Sequence, residues 1–142
     1  MNMTENEATG PAPSSDDPWQ DVLEDTSGLP VFLTYDPDGV PVYLSKAVWT
    51  EHILLRHPEV EPFKGLIISI IADPDSRQGD PEDDRVLLYY GIVREDHRPF
   101  RKALFLRVVV KYVYPPRRRG RRTGLISAVY FVDRMKRGAE TL

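Results

Sequence analysis

Phe100-Arg101-Lys102-Ala103-Leu104-Phe105-Leu106-Arg107-Val108-Val109-Val110-Lys111-Tyr112-Val113-Tyr114 reads as a strand with two unlike faces. Alternation puts Leu104, Leu106, Val108, Val110 and Tyr112 on one side, and Arg101, Phe105, Arg107, Val109 and Lys111 on the other. The even side is the core side. The odd side spaces three positive charges along one strand, a surface that a chain of phosphates could cross. Arg85 to Val93 before it and Leu125 to Val132 after it are further strand-like runs, so the three predict an antiparallel meander.

Upstream, Val31 to Tyr35 and Val40 to Leu44 flank Asp36-Pro37-Asp38-Gly39, a strong turn signal, and predict a hairpin. Ser45 stands where a helix N-cap belongs, and Lys46 to His57 is helical in composition until Pro58 stops it. A second helix is expected from Pro62 to Ala72, with Phe63, Leu66, Ile67, Ile70 and Ile71 at helical spacing. Residues 76 to 84 read as a polar acidic loop. The predicted class is therefore α+β: an N-terminal hairpin and two helices packed on an antiparallel sheet of about four strands. Residues 1 to 28 are poor in apolar groups and are expected to be a disordered acidic tail, with one short turn around Trp19, Val22 and Leu23. The folded domain is expected to be 29 to 142.

A chain of 142 residues has room for one such domain. It has no cysteine, which excludes disulfides, thiol catalysis and thiolate zinc sites. No basic leader followed by an apolar stretch and no membrane-length apolar run is present, so a soluble, cytoplasmic protein without a membrane partner is expected. The net charge of −3 hides a division of sign along the chain. Residues 1 to 93 hold 5 Lys and Arg against 18 Asp and Glu, whereas residues 94 to 142 hold 14 against 4. A phosphate backbone is the commonest partner for such a basic half. The segment Arg117-Arg118-Arg119-Gly120-Arg121-Arg122 reads as a loop that grips phosphates without reading bases, and Arg101 joins it as an RNA-binding candidate. The acidic tail could fold over this basic face and compete with RNA.

The first helix carries the candidate chemistry. At 100° per residue Val48, Trp49, Ile53 and Leu55 define an apolar arc, with His52 and Arg56 inside it, on the face turned to the protein body. A guanidinium placed there needs an anion. An imidazole beside fixed cations suits metal-free RNA cleavage, in which a base takes the 2′-hydroxyl proton and cations stabilise charge on phosphorus. His52 would be base or acid, and Arg56, Arg107 and Lys111 would be the cations. His57, before Pro58, reads more readily as a capping or surface residue, and it stays a possible participant. In the last strand, Ser127 could donate to a phosphate oxygen; alternation groups it with Leu125, Val129 and Phe131 and puts Tyr130, a further possible participant, on the opposite face. Three histidines, at 52, 57 and 97, show no metal-ligand spacing, so no metal or cofactor is expected. No nucleophile-elbow motif for a serine hydrolase exists.

Trp49-Thr50-Glu51-His52-Ile53-Leu54-Leu55-Arg56-His57-Pro58-Glu59, then Ile70-Ile71-Ala72-Asp73-Pro74-Asp75, then Gly124-Leu125-Ile126-Ser127-Ala128-Val129-Tyr130, resembles the phage and toxin branch of the BECR nucleases. That superfamily is named for barnase, EndoU, the colicin tRNases and RelE. The resemblance would cover residues 30 to 138. It implies a metal-independent endoribonuclease, with tRNA or rRNA as possible substrates and an inhibitor or antitoxin protein as a possible partner. By the same resemblance His52 matches the helix histidine, Arg107 or Lys111 the basic strand position, and Ser127 the hydroxyl of a Thr-Ala-Tyr-like ending. This chain departs there, with Ser for Thr and with Val129 where the aromatic is expected, Tyr130 following one place later. Two other classes compete with the enzyme: a non-catalytic RNA-binding module using the same basic sheet, and a protein-interaction domain in which the charge division serves assembly.

Overall fold

The structure, a computed structural model, describes residues 30–114 and 121–142. The expectations for residues 1 to 28, including the turn at Trp19 and the masking role of the tail, and for Arg117, Arg118 and Arg119, lie outside the described residues.

The strand quoted above forms as read, over a shorter span. It is β5, Phe105–Val113, with inward and outward residues in strict alternation. Leu106, Val108 and Val110 are fully buried and Tyr112 nearly so. Arg101 falls in the turn before β5 and is exposed, so it is not on the strand face that the alternation assigned to it. Antiparallel ladders join β5 to β4, Asp83–Ile92, and to β6, Thr123–Val132, which completes the expected meander.

The hairpin and the two helices also form. β1, Pro30–Tyr35, pairs with β2, Pro41–Ser45. Between them Gly39 takes φ +81°, a conformation that costs a glycine nothing. The carboxylate of Asp36 accepts the backbone N–H groups of Asp38 and Val40 at 2.9 and 2.8 Å. Ser45 then caps the first helix, α1, by accepting the Val48 N–H at 3.2 Å. α1 is built of three pieces: α-helical Lys46–Val48, π-helical Trp49–Ile53 and α-helical Leu54–Arg56. A 3₁₀ turn, Pro58–Phe63, leads into α2, Lys64–Ala72. Both helices pack on one face of the sheet, where Trp49, Ile53, Val60, Ile67, Ile70 and Ile71 meet the inward residues of β2, β4, β5 and β6. α2 lies so close to β4 that a Cβ at Gly91 would come within 2.4 Å of Ile70 Cγ1.

The architecture is thus α+β, but with six strands and not about four: with Ser76–Asp80 as β3, the order is β1-β2-β6-β5-β4-β3. The sheet is mixed, because the hairpin joins the meander through a parallel contact of β2 with β6. The remaining strand, β3, Ser76–Asp80, replaces the acidic loop expected there. Its sequence shows no apolar alternation, and backbone pairing holds it instead. One edge pairs with β4; along the other, Gly79 N–H donates to Glu140 and Leu142 N–H donates to Arg77. Among the described residues no helix is long and apolar enough to cross a membrane.

A groove between helix α1 and strand β6

The parallel contact of β2 with β6 consists of Val42↔Gly124 and Tyr43↔Leu125 and ends there. Beyond Leu125 the edge of β6 turned away from β5 has no strand partner among the described residues, and the end of α1 lies against it. A groove of about 140 Å³ opens between them, lined by His52, Ile53, Arg56 and His57 on the helix side and by Ser127 to Tyr130 on the strand side.

The helix side differs from the helical-wheel expectation. Across Trp49–Ile53 the hydrogen bonds run i→i+5, as in Leu54 N–H to Trp49 O, and each residue advances by less than 100°. Trp49 and Ile53 stay buried, but Leu55 is 76% exposed and leaves the apolar arc. His52 and Arg56 are exposed on the groove rim and are not turned into the protein body. Neither side chain has a hydrogen-bond or ion-pair partner among the described residues. The anion that a buried Arg56 would have required is therefore not demanded by the fold.

The strand side also departs from simple alternation. The register of β5 with β6 shifts between Val109 and Val110, leaving Ser127 as the extra residue of a bulge. Ile126, Val129 and Phe131 are buried on the helix side, while Ser127 is exposed and Ala128 and Tyr130 are half-buried. Ser127 therefore does not share a face with Val129 and Phe131. Ser127 and Tyr130, expected on opposite faces, line the same groove. The Ser127 hydroxyl donates to Val109 O at 3.4 Å, a long bond that leaves its oxygen free to accept.

His57 is more central than its place before Pro58 implied. Its ring stands 5.5 Å from that of Tyr130, and its Nδ1 is 3.6 Å from the Glu59 carboxylate. Arg107 reaches the groove through Tyr130, whose hydroxyl accepts Arg107 Nη1–H at 3.1 Å. Partial burial works against the Arg107 charge, the hydroxyls of Tyr130 and Tyr90 work for it, and the net direction is upward. Lys111 is not brought to the groove: it sits across from Leu125 and Val86, near Asp83. Arg122 is elsewhere too, with its Cζ 4.9 Å from the Tyr112 ring centroid beside a second pocket lined by Asp84, Arg85, Leu87 and Tyr114. Arg121, like Arg101, is exposed. The residue that sequence reasoning missed is Tyr90, whose hydroxyl accepts from Arg107 Nε at 3.0 Å. Its only signal was its place in an apolar run, which says core and nothing more.

The groove thus gathers two imidazoles, a guanidinium, an aliphatic hydroxyl and a phenol, with the Arg107 guanidinium bonded to that phenol from behind. These can move protons at one point and receive an anion at the next. No family model, curated protein or solved structure matches the chain.

Proposed function

We propose that the protein is a metal-independent endoribonuclease of the BECR type that cleaves RNA by attack of the 2′-hydroxyl on the adjacent phosphate. The observation that carries the reading is the convergence of His52, Arg56, His57, Ser127 and Tyr130 on one groove, with Arg107 joined to it through Tyr130. His52 is assigned the role of base that takes the 2′-hydroxyl proton. His57, oriented by Glu59, is assigned the acid that protonates the leaving 5′-oxygen. Arg56 and Arg107 stabilise the charge that grows on the phosphoryl oxygens, and Ser127 and Tyr130 hold those oxygens in place. Lys111, Arg101, Arg121 and Arg122 lie outside the groove and are assigned at most to flanking phosphates.

One observation favours a binding module of the same fold. No described side chain holds the His52 imidazole in one tautomer, as catalytic bases are commonly held. Incubating the protein and His52→Ala with total tRNA and rRNA in excess EDTA separates the two readings. Cleavage to 2′,3′-cyclic phosphate ends, falling about a hundredfold or more in the variant, is expected of the enzyme. Salt-sensitive RNA binding without cleavage by either protein establishes the module and overturns the enzyme.

A further inference from the structure

Arg107 is held from the side away from the groove by a chain of buried polar groups with a fixed direction. Its Nε–H donates to Tyr90 Oη, and Tyr90 donates its own proton to Gln78 Oε1 at 2.6 Å. Gln78 cannot flip, because its Oε1 accepts Lys136 N–H at 3.1 Å while its Nε2 donates to the carbonyls of Lys136 and Ala139 at 3.0 and 3.4 Å. The Tyr90 hydroxyl, also reached by Lys136 N–H at 3.1 Å, has spent its proton and meets Arg107 as an acceptor. Tyr90 is fully buried and Gln78 is 3% exposed, so water does not substitute for either. Two of the five guanidinium donors are taken, by two neutral phenols, and Arg107 has no carboxylate partner among the described residues. A half-buried cation satisfied only by neutral groups is a ready anion receptor, fixed in place before its ligand arrives.

We infer that Tyr90 and Gln78 are positioning residues, which lock Arg107 as a preset phosphate clamp beside Tyr130 and tie that clamp to the backbone of residues 136–139. The inference rests on the groove being an RNA site, and it adds residues that touch neither the groove nor its ligand. It also explains why β4 and β3 bury a phenol and an amide where apolar groups would pack as well.

The test uses Tyr90→Phe, which removes one hydroxyl, and Tyr89→Phe as its control. Tyr89 is the neighbouring residue, equally buried, and its hydroxyl bonds to Tyr112 and not to Arg107. The probe is an RNA oligonucleotide with 2′-deoxy substitutions, which binds but cannot be cleaved, followed by fluorescence anisotropy at low salt. Tyr90→Phe is expected to weaken binding about fivefold, the worth of one hydrogen bond, while Tyr89→Phe leaves it unchanged within about twofold. Gln78→Leu, one bond further from Arg107, should weaken binding in the same direction. Equal effects of Tyr90→Phe and Tyr89→Phe, or wild-type affinity in Tyr90→Phe, would overturn the positioning role even if the protein cleaves RNA. A selective loss of affinity in a protein that cleaves nothing would sustain the clamp and leave the ribonuclease reading alone to fall.

Discussion

Asp36 shows how one side chain joins distant parts of the chain. It is 5% exposed, and besides its two backbone donors it accepts the Tyr112 hydroxyl at 2.8 Å; Tyr112 in turn accepts from Tyr89. Burial, first of all, raises the Tyr112 pKa far above the ordinary phenol value, and the contacts with Tyr89 and Asp36 raise it further. Burial likewise raises that of Tyr89. The sign for stability follows. The unfolded chain releases these protons as pH passes about 10, whereas the folded protein retains them. Stability is therefore intact below about pH 10 and falls above it, by on the order of 1 kcal/mol per pH unit for each phenol. Tyr112→Phe should lower stability by about 1–3 kcal/mol at neutral pH, because a buried carboxylate oxygen loses its donor. The same variant should show a shallower alkaline decline in urea titrations, and an unchanged decline would mean that Tyr112 does not carry it.

Among elements, α2 is seated closely on β4 at Ile70, and Gly91 is what permits it. Gly91→Ala is expected to cost roughly 1–3 kcal/mol in urea unfolding through overpacking against Ile70. Ile70→Ala should recover part of that loss in the double variant, and strict additivity would show that the two residues do not compete for space. The elements that were most legible in the sequence carry a local signal of their own. β5 alternates throughout, and Asp36-Pro37-Asp38-Gly39 states its turn outright. The Leu125 to Val132 run is apolar at both parities, so nothing in it marks where a bulge would reassign Ser127. The π turn in α1 is equally silent: Trp49 and Ile53 fit an α-helical arc as well as the wider one, and the difference shows only in Leu55, His52 and Arg56 facing solvent. β3 was hidden because its pairing uses backbone groups on both edges and its one buried side chain, Gln78, is polar. His52, Arg56 and Ser127 were reachable as groove residues by type and spacing, whereas Tyr90 and Gln78 become visible only once β3 and the segment after β6 are seen together.

For the whole molecule, the division of charge along the chain is not a division in space across the described residues, because Lys111 lies near Asp83 and Arg122 shares a pocket with Asp84. Asp80, Glu82, Asp83 and Asp84 cluster at the β3–β4 turn, at the Val113 end of β5, while Arg107 and the groove lie towards its Phe105 end. The Asp83 carboxyl is held below the usual range, first by its bonds to Arg85. RNA that binds at the groove should meet Arg56 and Arg107 there, clear of the acidic turn. Raising salt from about 50 to about 200 mM should then weaken oligonucleotide binding roughly twenty- to a hundredfold, as expected if three to five phosphates of a single strand are neutralised. A flat salt response would show that no phosphates are neutralised and would count against the groove as an RNA site.

The parallel contact of β2 with β6 carries a last implication, in time and not in space. One wall of the groove is made at residues 52–57 and the other at 127–130, and the second belongs to a strand that must insert between β2 and β5. Pairings so far apart in sequence form late in folding. A nascent chain that already displays His52 and Arg56 therefore has nowhere to seat a phosphate. If the groove is the RNA site proposed above, its two walls come together in a single step, when the final strand closes.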